Sequence, residues 1–215
     1  MAVKTNWQNF RSQNSSLPLD VFFTVKGDGE DGEESCGRIG AHKFLLAGTS
    51  PVFLKQFFGP MNDTTCNTKE VVEVKDTTRE AFGAMIDYVY QQPGEDSFKL
   101  NGNCPQKLFE LHELAERYEI LNLKTLTSSA LETLAIRREN MIFTATVATR
   151  YKKIFTKLCK KLLMRCLEFL FQETNRAADM LALIMETKTN FPEASLDILF
   201  ELITVGNEAL QVPGI

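Results

Sequence analysis

Seven side chains in this 215-residue chain have the right chemistry for catalysis or metal binding: His42, His112, and the thiols Cys36, Cys66, Cys104, Cys159 and Cys166. A nucleophilic site needs a thiol or hydroxyl within reach of an imidazole, and a carboxylate to orient that imidazole. Cys36 and His42 are close in sequence but fall on either side of a strand-to-helix transition. His112 lies in "LFELHELAER" among Leu108, Leu111 and Leu114, with Glu113 and Glu116 nearby. There is no nucleophile elbow, and the glycines of "GDGEDG" do not lead from a strand into a helix with phosphate-loop spacing. No cysteine pair has C-x-x-C spacing, and the count is odd, so the thiols read as reduced and structural zinc is not expected. Each histidine reads as a polar group satisfied at a helix edge. No cofactor is implied.

Composition sets further bounds. The chain is 44% hydrophobic and 24% charged, with sixteen phenylalanines against one tryptophan, which favours apolar packing over a sugar- or base-stacking surface. A net charge of −4 argues against nucleic acid or an anionic membrane as a whole-protein partner. The start, "MAVKTNWQNFRSQNSS", has no apolar core of a secretory signal. No window approaches the run of about 18 apolar residues that a membrane span requires. Cytoplasm or nucleus is the expected location.

The elements that must position these residues mix in the first hundred positions. "DVFFTV" reads as a strand, the acidic "KGDGEDGEESCG" as a solvated hairpin loop and "RIG" as a short returning strand. A helix is expected over 41–47, ended by a left-handed cap at Gly48. Ser50 can cap a second helix with Pro51 at its first position, its apolar face being Val52, Phe53, Leu54 and Phe57. "EVVEVKD" alternates as a strand. Thr77 and Glu80 have capping-box spacing before a helix that buries Phe82, Met85, Ile86, Val89 and Tyr90. "SFKL" suits a short strand, and helices are then expected over 105–118, 123–134, 138–150, 153–171, 175–185 and 195–205. In "RYKKIFTKLCKKLLMR", seven cations and no acid accompany a core stripe of Ile154, Phe155, Leu158, Leu162 and Leu163. The lysines then form a solvated opposite face, or a patch for an acidic partner.

The ordered string "DVFFTV…IGAHKFLLAGTSPVFLKQFFGPM…EVVEVKDTTREAFGAMIDYVY" closely resembles the BTB/POZ domain. Asp-Val opens a strand, Ala-His-Lys one helix and Ser-Pro-Val-Phe the next, and Tyr-Val-Tyr closes a third. "LFELHELAERYEILNLKTLTSSALETL" resembles the helix pair that completes the domain. The resemblance implies an α+β BTB/POZ fold, a small sheet covered by helices, over 1–136. Over 137–215 the helices resemble the all-α BACK-like extension of ubiquitin-ligase adaptors. It further implies a non-enzymatic interaction module.

Several site residues follow from the resemblance alone. Homodimerisation would use Trp7, Phe10 and Leu17 as apolar anchors. Binding to the N-terminal region of cullin-3 would use Met61, Asp63 and Tyr118. Asp63 is one methylene shorter than the family's Glu, which weakens a hydrogen bond by about 1 kcal/mol or rearranges it. Asp20, His42 and Lys43 would form the family's surface pocket. The rival expectation is a BTB scaffold for transcription or chromatin complexes without cullin binding. Such adaptors usually add a MATH domain or kelch repeats as a recognition module, and neither the stretch before Trp7 nor that after Val205 is long enough for one.

Overall fold

Alternation makes β1. In Val21–Val25, Val21, Phe23 and Val25 are buried while Phe22 and Thr24 are half-buried, the period-two pattern of a strand with one covered face. The computed structural model describes residues 17–25, 38–60, 70–91 and 104–173. β2 (Ile39–Ala41) pairs antiparallel with β1, Val21 facing Ala41 and Phe23 facing Ile39. β3 (Glu70–Val74) pairs with β1 in parallel, from Val21 facing Glu70 to Val25 facing Val74. The order is β2-β1-β3, so the most apolar strand takes the centre.

The helices are α1 (Lys43–Thr49), α2 (Pro51–Phe58), α3 (Arg79–Val89), α4 (Pro105–Arg117), α5 (Leu121–Thr133), α6 (Arg138–Tyr151) and α7 (Thr156–Glu173). They fall into two compact units. One holds the residues up to 101 together with Lys107–Thr127, and the other holds 102–106 with those from Ser128 onward.

The core of the first unit is aromatic. Phe23 meets Phe53 and Phe82 at centroid distances of 5.8 and 5.0 Å, and Phe53 stacks on Phe57 at 5.6 Å. Met85, Ile86, Leu111 and Leu114 close around them. The face expected of α3, from Phe82 to Tyr90, is buried throughout. In the second unit α6 packs on α7, with Met141, Ala145, Ala148, Leu158, Cys159, Leu162, Leu163 and Cys166 buried.

Several expected boundaries shift, each for a physical reason. Ala41 belongs to β2 and not to a helix, because it pairs opposite Val21 and its methyl is buried. Gly48 lies inside α1 and does not cap it. The break falls at Ser50, held extended at φ −129° and ψ 119°, the conformation that a following proline favours. Thr78, not Thr77, caps α3 by accepting the Ala81 N–H at 3.2 Å. Glu80 turns to Lys107 at 2.6 Å and forms no capping box. Leu54 leaves the expected apolar face of α2, since Phe53 and Phe57, four apart, already fill the core side. A tight turn follows α6, in which the Ile154 and Phe155 N–H groups both bond the Tyr151 carbonyl. The α7 stripe therefore starts at Phe155, and Ile154 is 59% exposed. The acidic loop, "SFKL" and the helices expected over 175–185 and 195–205 lie outside the described residues.

Candidate docking surface

The corner between α1 and α2 is held by side chains from distant segments. His42, extended at the start of α1, makes no side-chain cap of its own. Asp20, just before β1, supplies one: its Oδ1 accepts the Lys43 N–H at 2.8 Å, satisfying a first-turn donor with a carboxylate at the positive end of the helix. The Lys43 ammonium lies 5.7 Å from the centre of the Phe57 ring. Asp20 and Lys43 are thus adjacent.

His42 is only 3% exposed, so its ring belongs to the interior and not to a surface pocket. The partners of this histidine are remote, not local. The Tyr90 hydroxyl at the end of α3 accepts the His42 N–H at 2.8 Å and lies 2.7 Å from Nδ1, while Nε2 is 3.4 Å from the Leu17 carbonyl. One tautomer satisfies everything: Nε2–H donates to Leu17, and Tyr90 donates to Nδ1. With both ring nitrogens engaged, His42 works as a strut. The sequence placed Tyr90 in the core by periodicity but gave no sign of its hydroxyl's role.

Ser50 makes the second tie. Its Oγ accepts the Phe53 N–H at 3.2 Å as the cap of α2 and donates to the Tyr118 carbonyl. Tyr118 sits just past α4, where Glu119 takes a left-handed φ of 55° and the Ile120 N–H reaches back to the Ala115 carbonyl at 2.8 Å, a Schellman-type close. The Tyr118 ring stacks on Phe53 at 4.5 Å and meets Phe82 edge-on at 6.0 Å. Burial raises the pKa of its phenol, partly offset by Arg117, so the hydroxyl stays protonated.

The outer side of the corner is apolar. Leu54 and Phe58, one turn apart on α2, are 50% and 55% exposed, and Phe44 on α1 is likewise exposed. α2 ends at Gly59, where an added Cβ would collide with the Lys55 carbonyl. Met61 and Asp63 follow outside the described residues, as do Trp7 and Phe10. Leu17 is 44% exposed. The structure thus brings Leu17, Asp20, His42 and Lys43 into one neighbourhood and Tyr118 to the base of α2.

Of the other groups with catalytic potential, His112, Cys159 and Cys166 are buried and Cys104 is half-buried, while Cys36 and Cys66 lie outside the described residues. His112 is buried in the first unit, its Nδ1 2.8 Å from Thr127 Oγ1, whose own proton goes to the Leu123 carbonyl. Burial lowers its pKa below the ordinary 6.5, with Glu116 raising and Lys124 lowering it further. Burial pushes the Cys159 and Cys166 thiols up to about 12, the reverse of an activated nucleophile. Among the described residues no three metal-ligating side chains cluster, and no helix is long and apolar enough to cross a membrane.

The BTB/POZ domain family matches residues 10–134, and the chain belongs to that family. A BTB/POZ domain is a protein–protein interaction module. The chain is 28% identical over 173 residues to BTB/POZ and MATH domain-containing protein 3 of Arabidopsis thaliana, covering 78% of this chain and 38% of that one. It is 26% identical over 136 residues to a BTB/POZ domain-containing protein of the same plant, covering 61% of this chain and 57% of that one. The chain therefore spans less than two thirds of these relatives. Among solved structures, the BTB domain of zebrafish PATZ1 matches 58% of this chain and 83% of its own at 19% identity and a TM-score of 0.40. The BTB domain of human gigaxonin matches 59% of this chain and 93% of its own at 19% identity and a TM-score of 0.34.

Proposed function

We propose that the chain is a non-enzymatic adaptor whose BTB/POZ domain, residues 1–136, homodimerises and binds the N-terminal region of cullin-3, in the cytoplasm or nucleus. Residues 137–215 act as a BACK-like extension that widens the cullin groove. Met61, Asp63 and Tyr118 make the cullin contact, and Trp7, Phe10 and Leu17 anchor the dimer.

The observation that carries this reading is the exposed Leu54–Phe58 pair on a helix pinned from below. α2 is fixed at its base through Ser50 and Phe53 and shows two large apolar side chains on the way to Met61-Asn62-Asp63. Large side chains on a preorganised element dominate interface energies. Calorimetry with a cullin-3 N-terminal fragment tests the proposal. Binding at micromolar concentration, lost in Met61→Asp and weakened in Phe58→Ala, is expected. No heat at tens of micromolar, or an unchanged affinity in Met61→Asp, refutes it. Light scattering should give twice the chain mass at micromolar concentration, and a monomer there removes the dimer from the proposal.

A further inference from the structure

The second unit carries a groove lined by none of the residues assigned to the direct cullin contact. It lies between the last turn of α5 and one side of α7 and encloses about 650 Å³, within the range of peptide and ligand sites. Its floor is apolar, with Leu131, Leu158 and Leu162 buried and Met164 half-exposed. The rim carries Lys157, Lys160, Lys161 and Arg165 against the carboxylates of Glu132 and Glu168. Lys161 bonds Glu132 at 2.8 Å, and Arg165 donates to the carbonyls of Leu131, Glu132 and Leu134, fixing the rim. Lys157, Lys161 and Arg165 are four residues apart and so form a row rising about 6 Å per step. Residues 150–165 hold seven cations and no acid in a chain of net charge −4, and four of them, Lys157, Lys160, Lys161 and Arg165, lie on α7.

We infer that this groove docks an acidic amphipathic helix of a partner protein. Carboxylates spaced four apart match the cation row, and leucine- or phenylalanine-like side chains pack on Met164 and on the methylene stems of the rim lysines above the buried leucines. Complementary charge of this kind supplies register and on-rate, while the apolar contacts supply the anchor. Nucleic acid fits less well. The aromatic residues among these lysines, Tyr151 and Phe155, are buried and offer no face for a base, and a phosphate backbone has no use for an apolar floor. The chain's own acidic loop, "GDGEDGEE", has no apolar residue to fill it.

The test uses the full chain. A phage-displayed peptide library is panned against it, and the best peptide is made with a fluorescein label for anisotropy titration. Expected are peptides with acids at four-residue spacing and a flanking Leu or Phe. Their affinity should fall about tenfold or more in the Lys157→Glu, Lys160→Glu double variant, and steeply between about 50 and 200 mM salt. The same peptide with Lys in place of Glu should bind the double variant better than it binds the wild-type chain, a reversal that a merely misfolded variant cannot give. Selection of peptides without acids, full affinity in the double variant, no reversal, or tighter binding of an RNA oligonucleotide through the same lysines overturns the inference. Met61→Asp, which changes no residue lining this groove and which the cullin reading expects to abolish cullin-3 binding, should bind the acidic peptide as the wild-type chain does, so the two proposals fail separately.

Discussion

Replacing Ser50 by alanine removes one oxygen that serves two elements. As the cap of α2 it accepts the Phe53 N–H, and as a donor it satisfies the carbonyl of Tyr118, sixty-eight residues on. Loss of an N-cap costs about 1 kcal/mol. The stranded Tyr118 carbonyl, a C-terminal acceptor of α4 that no later N–H serves well, adds about 1–2 kcal/mol. Ser50→Ala should therefore destabilise by about 2–3 kcal/mol, visible as a lowered urea midpoint by circular dichroism at an unchanged slope. Two controls apportion the loss. Thr78→Ala removes a cap of α3 whose second bond, to the Glu110 carboxylate at 2.9 Å, is exposed to water, and should cost only about 1 kcal/mol because water replaces that bond. Ser50→Gly keeps most of the capping benefit, since glycine at this position costs only a few tenths, and so isolates the Tyr118 bond at about 1–2 kcal/mol. If Ser50→Ala were no more costly than Thr78→Ala, the hydroxyl would be an ordinary cap, and the tie between α2 and the end of α4 would contribute nothing.

Three further predictions test other parts of the chain. Because burial lowers the His112 pKa in the folded state, the unfolded chain binds more protons below about 6.5, so stability is full above that pH and declines as the pH falls through it. His112→Asn, which keeps a donor for Thr127, should flatten this part of the profile of urea midpoint against pH, and an unchanged slope counts against the assignment. Arg165→Ala should destabilise by about 2 kcal/mol, since the guanidinium satisfies the terminal carbonyls of α5. Arg165→Lys should recover less than half of this, because an ammonium lacks the planar fork. With thiols at about 12 against an ordinary 9.0, Cys159 and Cys166 should react with iodoacetamide about a thousandfold more slowly than an ordinary thiol until the chain is unfolded, as read by peptide mass spectrometry. Rapid native labelling of either would reopen thiol chemistry.

Periodicity made the core of the first unit readable: the alternation in β1, the Phe53–Phe57 spacing and the face of α3 all follow from which residues must avoid water. The Ser50-Pro51 pair was readable too, because proline constrains its own backbone and that of its predecessor. What could not be read were bonds between segments distant in sequence. Asp20 caps a helix that begins twenty-three residues later, so the start of α1 moved from Ala41 to Lys43. Arg165 looked like one more cation on a solvated face, and only the fold places it at the end of α5. Arg117 similarly joins Glu113 to the carbonyls of Lys75 and Asp76, a link with no local signature. In the candidate site, the family motif names Asp20, His42, Lys43 and Tyr118 as candidates and gives no sign of the inward direction of His42.

That direction bears on how the docking surface works. A histidine facing solvent would offer its ring to a partner. Buried between Tyr90 and the Leu17 carbonyl, it instead ties the residues before β1, the end of α3 and the start of α1 to one point. Asp20 fixes the next N–H along, and Ser50 fixes the far end of α1 and the start of α2. A backbone held at both ends of a seven-residue helix has little freedom left to lose when a partner arrives. Each rotamer-rich side chain ordered at an interface costs about 0.5–1.5 kcal/mol, and a rigid corner adds no backbone ordering to that sum. Leu54 and Phe58 are thus presented on a frame set by folding and not by binding. Loosening the frame through Tyr90→Phe, which strands the buried His42 N–H, should then weaken a partner bound at α2 although no contacting atom has changed.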